Sequence, residues 1–486
     1  MATTIHETRP HRLSLLTKMI YGTGDWSIAS FNTLRTIFYA IFLTDVVGLE
    51  PRLASIAAFV GILWDAVNDP VVGTLSDRLK THWGRRRPFL LWFAVPFGLG
   101  FVLQWWSPPW DNQIALMLTI MLAYMVCDTL QTLVSVPYFS LTPEIADDYD
   151  QRTSLTGYRM FFNLFASLVT AVAAPVVVDS VVAGGGTPQQ GYLTIAMILG
   201  AIAVVPFLLI FAFIRERPIT TTSQIAHVSL RESLRAAWHN IPCRFATGIY
   251  VLTWLTIDFL SVLLPFFLVY WVAGGNTLAE TSVLGIKLPV ESAFLGVLQL
   301  ISIGSLPFWI WLAHKFSKRT AYMLAMTIWV GTQVAFLLVG QNQIGLALLL
   351  AIPAGMGVAA GHVLPESIYP DVIDWDELRT GQRREGVYYG IKNLMRKVTS
   401  AVAIFVALQV LGWTGYRAPQ AGETVVMQPE ATLTAMRMLI TVVGALLLFG
   451  GLLVAWFYPL SRERHARIRL LLERKRAKQE TVNRKR

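Results

Sequence analysis

Charged residues are scarce. Asp, Glu, Lys and Arg make up 14% of the 486 residues, where a soluble domain carries roughly 25%. That shortage excludes an ordinary water-soluble fold. Cysteine is nearly absent as well: Cys127 and Cys243 stand alone, without CxxC spacing, so neither a disulfide framework nor a zinc site is expected. Both read as small apolar fillers. The eight histidines fall mostly in tails and loops. No His/Glu metal spacing, GxSxG turn or Gly-rich phosphate loop occurs, so neither an embedded enzyme nor a resident cofactor is expected.

What the chain has instead is apolar sequence, 54% of all residues, in blocks about as long as a bilayer is thick. Twelve spans are predicted, at 17–45, 52–76, 88–107, 113–140, 156–181, 191–214, 244–273, 292–313, 320–340, 343–368, 386–412 and 432–458. Helices are the expected spanning element, because every backbone polar group must be satisfied within its own segment. The first 18 residues are polar and basic and the first apolar block is too long for a signal peptide, so it is expected to stay in the membrane.

Lys and Arg crowd the N-terminal tail, the 77–87 loop, 215–235, 315–319, 379–384 and the C-terminal tail, while the opposite loops hold only Arg52, Lys287 and Arg417. This positive-inside pattern puts both termini in the cytoplasm of a multi-pass cell-membrane protein. The basic tail suits a cytoplasmic surface near anionic lipid, and nucleic acid is not expected as a partner. Residues 215–243 break the spans six and six, and the second half of that connector has the pattern of an amphipathic surface helix. The predicted fold is therefore an all-α membrane protein with two pseudo-symmetric six-helix halves. They cover 1–214 and 244–458, with a cytoplasmic linker at 215–243 and a basic tail at 459–486. One chain holds both halves, so a monomer is expected.

An ionisable residue inside a span costs about 2.5–3.5 kcal/mol on insertion scales, so those present need a partner, water or a ligand. In "ILWDAVNDP", Asp65 and Asp69 sit four residues apart on one helix face beside Asn68. Two carboxylates so close repel each other unless a proton or cation lies between them. The pair can take up a proton or supply hard oxygen ligands to Na⁺, and the competing explanation is a set of structural salt bridges. Asp128, Thr132 and Ser135 share a face of the fourth span and could complete that site. The first span holds Asp25, Trp26, Asn32 and Arg35; ten residues separate Asp25 from Arg35, so each should answer a different helix. Asp258 is the only acid of the seventh span. Arg159 and Lys397 are cations suited to these acids or to a substrate, whereas Arg396 points to another face and another partner. Two loops read as cytoplasmic gates. One carries Asp77, Arg78 and Arg85 to Arg87 (Arg85, Arg86 and Arg87), and the other Asp371, Asp374, Asp376 and Glu377.

Taken together, "GTLSDRLKTHWGRRRP", "WDAVNDPVVG", "TDVVGL", "VPYFSLTPEI" and "DWDELRTGQRREGVYYG" resemble the glycoside–pentoside–hexuronide:cation symporters, the melibiose permease family of the major facilitator superfamily. The resemblance touches both halves. It implies that Asp65 and Asp69 bind the coupling cation with Thr132 nearby, and that Arg159 and Lys397 match a helix-five arginine and a helix-eleven lysine. This sequence departs from the family where a helix-four aspartate falls on Ser135 and a tryptophan on Phe139. A helix-one aspartate falls near Ala29, with Asp25 the nearest acid. These departures make H⁺ as credible a coupling ion as Na⁺. Arg35, Arg159 and Lys397 are expected among the substrate residues, since they suit an anionic sugar such as a hexuronide. The expected function is cation-coupled symport of a sugar, glycoside or hexuronide by alternating access. The alternative is a lysophospholipid or lipid carrier on the same scaffold. Membrane lipids are the other expected partners.

Overall fold

The computed structural model describes residues 13–79, 81–146, 149–216, 235, 238–382, 384–420 and 422–485. The chain forms two compact units, residues 1–224 and 225–486. In the first, α1 is Leu15–Ile41, α2 Pro51–Arg78, α3 Arg87–Gln104, α4 Gln113–Ile145, α5 Tyr149–Ala183 and α6 Pro188–Phe213. In the second, α7 is Ile241–Phe266, α8 Val290–Lys315, α9 Lys318–Ala335, α10 Ile344–Thr380, α11 Glu385–Trp413 and α12 Glu430–Trp456, followed by α13, Arg462–Lys485. A two-stranded hairpin, β1 Glu280–Val283 and β2 Ile286–Pro289, joins α7 to α8.

Local chemistry explains where these helices begin. The side chains of Ser14, Asn112, Asn240 and Ser317 accept hydrogen bonds from backbone N–H groups in the first turns of α1, α4, α7 and α9. Thr187 and Gln190 form a reciprocal capping box at α6. Proline occupies the first positions of α2, α3, α6 and α7, where a missing N–H costs nothing.

The two units repeat one packing pattern. In the first, α1 packs on α5 and α6, α3 on α4 and α6, and α2 on α4; in the second, α7 packs on α11 and α12, α9 on α10 and α12, and α8 on α10. The α3–α6 contact needs glycine on both sides. A Cβ on Gly98 would stand 2.8 Å from the carbonyl oxygen of Gly200, and one on Gly200 2.5 Å from that of Gly98.

Three features refine what the sequence suggests. Among the described residues eleven helices are long and apolar enough to cross a membrane, and α1 is not one of them. Its 27 residues give ample length, but Gly22, Gly24, Asp25, Ser27 and Ser30 dilute its apolar character. All five are buried inside the protein, so α1 has less need of a lipid-compatible surface. Second, "YPDVIDWDELRT" is not a loop: α10 runs through it to Thr380 and stops at Gly381, whose φ of 73° breaks the helix. Pro365 and Pro370 lie inside this helix without ending it. Third, the basic tail is largely the helix α13. The amphipathic segment expected in the 215–243 connector falls mostly outside the described residues.

Candidate functional site

In the first unit α1 and α4 run antiparallel in a fixed register. Tyr21 hydrogen-bonds to Thr142 (2.8 Å), Asn32 to Gln131 (2.9 Å), and Arg35 to Asp128 (3.0 Å). As the residue number rises along α1 it falls equally along α4, so polar residues on two buried faces meet rung by rung. The close approach depends on Gly24, where a Cβ would lie 2.6 Å from the Tyr138 ring. Along a helix ten residues rise about 15 Å. Asp25 and Arg35 therefore belong to two separate polar groups.

The first group surrounds Asp25, which is 2% exposed. Its Oδ2 accepts from Arg159 Nε on α5 at 2.5 Å. The Tyr138 hydroxyl is 2.8 Å from that same oxygen and 2.8 Å from the Tyr21 carbonyl, donating to one of them. The Arg159 guanidinium lies over the Tyr138 and Phe139 rings, 5.3 and 4.7 Å from their centres. Trp26 packs against Phe165 of α5, with centroids 5.5 Å apart. A carboxylate, a guanidinium and aromatic faces thus stand together, which is the equipment for holding a polar solute.

The second group surrounds Asp128, also 2% exposed. Arg35 binds its Oδ1, and Oδ2 has no hydrogen-bond partner. The guanidinium is held over the rings of Phe31 and Tyr124, and Asn32 Oδ1 accepts from both Arg35 and Gln131. From α2, which packs on α4, the charges of Asp65 and Asp69 act on Asp128, and that of Asp65 also on Arg35. Asn68 is buried between them in sequence and its Nδ2 lacks a partner. Thr132 and Ser135 are buried on the same face of α4 as Asp128. Asp128, held by Arg35 through one oxygen, thus feels the charges of both acids of α2.

The structure joins Arg35 to the acids, whereas the sequence had grouped it with substrate residues. Asn32, one of the polar residues noted in the first span, completes this group together with Gln131, which was not singled out. The signal for Gln131 was available: it is three residues from Asp128 on the same helical face. Tyr138 was also missed, although its neighbour Phe139 was noted.

In the second unit Asp258 of α7 is again 2% exposed, and its Oδ2 pairs with Nη1 of Arg396 on α11 at 2.7 Å. The same guanidinium covers the Trp254 ring at 4.0 Å. Arg396, rather than Lys397, is therefore the cation at Asp258; Lys397 is half-buried on the same helix. Glu366 of α10 pairs with Lys392 of α11 at 2.5 Å, and the His362 ring meets Trp254 with centroids 4.8 Å apart.

The expected gate residues find partners inside their own units. Arg85 and Arg86 both bind Glu144, at 2.9 and 3.0 Å, and Arg86 reaches Asp77 at 3.1 Å. Glu216 accepts the backbone N–H groups of Arg85, Arg86 and Arg87 at the start of α3. In the second unit Lys318 holds Asp371 at 2.7 Å, and His465 of α13 lies 3.1 Å from Asp374. Arg384 grips Asp376 with two nitrogens, at 3.0 and 2.8 Å, which raises the already high pKa of that guanidinium. Among the described residues no group of three or more His, Cys, Asp or Glu is placed to hold a metal ion.

Residues 20–462 match the family described as MFS/sugar transport protein. The chain belongs to that family. Several proteins are similar to this chain over most of its length. An uncharacterized symporter of Synechocystis sp. is 28% identical, covering 95% of this chain and 97% of its own. The sodium-dependent lysophosphatidylcholine symporter 1-A of Danio rerio is also 28% identical, covering 94% and 88%. The isoprimeverose transporter of Lactiplantibacillus pentosus is 25% identical, covering 82% and 81%. A solved proton-dependent oligopeptide transporter shares the fold at a TM-score of 0.65 and 11% identity, over 95% of this chain and all of its own. The protein is thus an all-α, multi-pass membrane transporter of the symporter-containing family.

Proposed function

We propose that this protein is a cation-coupled symporter that carries a sugar, glycoside or hexuronide across the cell membrane by alternating access, with both termini cytoplasmic. The observation that carries the coupling is the setting of Asp128. It pairs with Arg35 through one oxygen while the other has no hydrogen-bond partner, and the charges of Asp65 and Asp69 act on it from α2. A bound H⁺ or Na⁺ lowers the repulsion among these acids, so its arrival changes the cost of keeping them in the membrane. Asn68 and Thr132 extend the oxygen donors available to Na⁺.

The Asp25–Arg159 group is the solute side of this mechanism. Asp25 and Arg159 can exchange their mutual bond for hydroxyl groups, and Trp26 and Phe139 offer rings for an apolar sugar face. In the second unit Asp258 and Arg396 form a comparable pair, with Lys397 on the same helix as Arg396, and these cations suit an anionic sugar. The isoprimeverose-carrying relative supports a glycoside. The similarity to sodium-dependent lysophosphatidylcholine symporters supports a second reading, in which the cargo is a lysophospholipid.

Counterflow in proteoliposomes across a panel of glycosides, hexuronides and lysophospholipids separates the two, with Na⁺ and pH gradients varied independently. Saturable exchange of a glycoside or hexuronide, accelerated by one of the two ions, is the expected result. Exchange confined to lysophospholipids would replace the cargo and keep the coupling site, while ion-independent accumulation would remove the coupling site itself.

A further inference from the structure

Outside the transport machinery, a basic recess lies in the second unit between the α8–α9 turn, the end of α12 and the start of α13. Two cavities, of about 1000 and 610 Å³, share Arg319, Tyr458, Ser461 and Glu463 in their walls. The smaller adds Arg464 and Arg467, and the larger Arg462 and Arg469. Several of these guanidinium groups are steered by backbone carbonyls. Arg319 donates to Trp456 O, Arg462 to Lys315 O and Phe316 O, and Arg464 to Pro459 O. A carbonyl positions a guanidinium without neutralising it. Lys318, Asp371, Asp374 and His465 are occupied with one another. Among the described residues Glu463 is therefore the one remaining acid against five arginines.

A second observation comes from Tyr458, which lines both cavities. It is 5% exposed, yet its hydroxyl has no hydrogen-bond partner. Burial pushes its pKa well above the ordinary tyrosine range, so the group stays a donor at any physiological pH. A buried donor without an acceptor is costly, and an acceptor supplied by a ligand removes that cost. The recess thus calls for an anion rich in acceptor oxygens.

The walls also specify what is attached to that anion. From Lys318 and Arg319 the larger cavity continues up α9 past Met323, Leu324 and Thr327. This helix is one of those apolar enough to cross the membrane, and Leu324 is 45% exposed. Trp456 and Phe457 at the rim are 59% and 67% exposed. Aromatic residues at a span end sit at headgroup level. The ligand therefore has an anionic end at the membrane boundary and an apolar end along the helix.

We propose that this recess binds the phosphate headgroup of an anionic phospholipid, held by Arg319, Arg464, Arg467 and the Tyr458 hydroxyl, with an acyl chain along α9. The site is independent of the cargo, because none of these residues belongs to the polar groups of α1, α4, α7 or α11.

The test uses the purified full chain in neutral detergent. It is titrated with short-chain phosphatidylglycerol, phosphatidylcholine or inorganic phosphate, and thermal unfolding is followed. Phosphatidylglycerol should stabilise the protein at far lower concentration than phosphatidylcholine. Arg464→Gln with Arg467→Gln should weaken its binding roughly thirtyfold, the loss of two arginine–anionic-lipid contacts. Phosphatidylcholine binding should stay unchanged. An unaltered preference in that variant overturns the site, and equal binding of inorganic phosphate overturns the lipid as its occupant. Should the double variant fail to fold, brominated phosphatidylglycerol added to the native chain should quench tryptophan emission, and Trp456→Phe should remove a distinct part of that quenching. Identical quenching in Trp456→Phe overturns the site equally.

Discussion

The two units share a packing pattern and differ in the acids of their second helix. In both, the first helix carries a buried aspartate bound to an arginine of the fifth: Asp25 with Arg159, and Asp258 with Arg396. In the second unit Glu366 also pairs with Lys392. In the first, Asp65 and Asp69 of α2 act electrostatically on Asp128, which Arg35 binds. These two acids have no counterpart in the repeat: α8, which takes the place of α2, has Glu291 as its one acid, in its first turn. The proposed ion coupling therefore rests on the first unit, and the proposed solute group on the repeated aspartate–arginine pair.

The largest effect should come from neutralising an acid of α2. Asp65→Asn or Asp69→Asn is expected to abolish uphill uptake while leaving solute counterflow measurable, because a carboxylate proposed to hold the ion is lost while the Asp25–Arg159 group is untouched. Asp258→Asn should leave accumulation dependent on the ion gradient, even where it lowers affinity for the solute. Full gradient-driven accumulation in both Asp65→Asn and Asp69→Asn would falsify the assignment.

The arginines offer a sharper version of the same contrast. Removing one partner of a buried ion pair costs about 3–5 kcal/mol, since the remaining charge is stranded. Arg396→Gln should therefore lower thermal stability strongly, and a second change, Asp258→Asn, should restore most of it. Arg35→Gln strips Asp128 of its guanidinium while the charges of Asp65 and Asp69 still act on it, so Asp128→Asn should rescue it less fully and added Na⁺ or lower pH should stabilise it further. Equal rescue in the two units, with no response to ion or pH in the first, would erase that contrast.

Why some of this was legible in the sequence and some not follows from period and distance. Apolar blocks and the i, i+4 spacing of Asp65 and Asp69 are local patterns, so the membrane helices and the shared face of the two acids could be read directly. The polarity of α1 was also visible, but its meaning was not, because burial against α5 and α6 is a tertiary fact. Pairings were harder. Arg396 and Lys397 are adjacent in sequence and differ by about 100° around the helix axis. Only packing against α7 decides which one meets Asp258. The α1–α4 register likewise joins residues about a hundred positions apart, and no single-helix period reveals that Arg35 belongs with Asp128.

The smallest expected effect tests whether the two polar groups of the first unit are as separate as their spacing suggests. Tyr138 is the one tyrosine hydroxyl at hydrogen-bond distance from Asp25 among the described contacts. Tyr138→Phe leaves that carboxylate to Arg159 alone, much as Asp258 is left to Arg396. Loss of a hydrogen bond to a charged group costs about 1.5–3 kcal/mol, so a moderate fall in unfolding temperature is expected, with weaker solute binding. Dependence on the coupling ion should not change, because Asp128 lies ten residues away on α4 and about 15 Å along its axis. A shift in ion activation in Tyr138→Phe would mean that the solute group and the acid group communicate through the α1–α4 rungs between them. Asn32 and Gln131 would then be the next positions to alter, since their hydrogen bond is the rung nearest to Asp128 on that path.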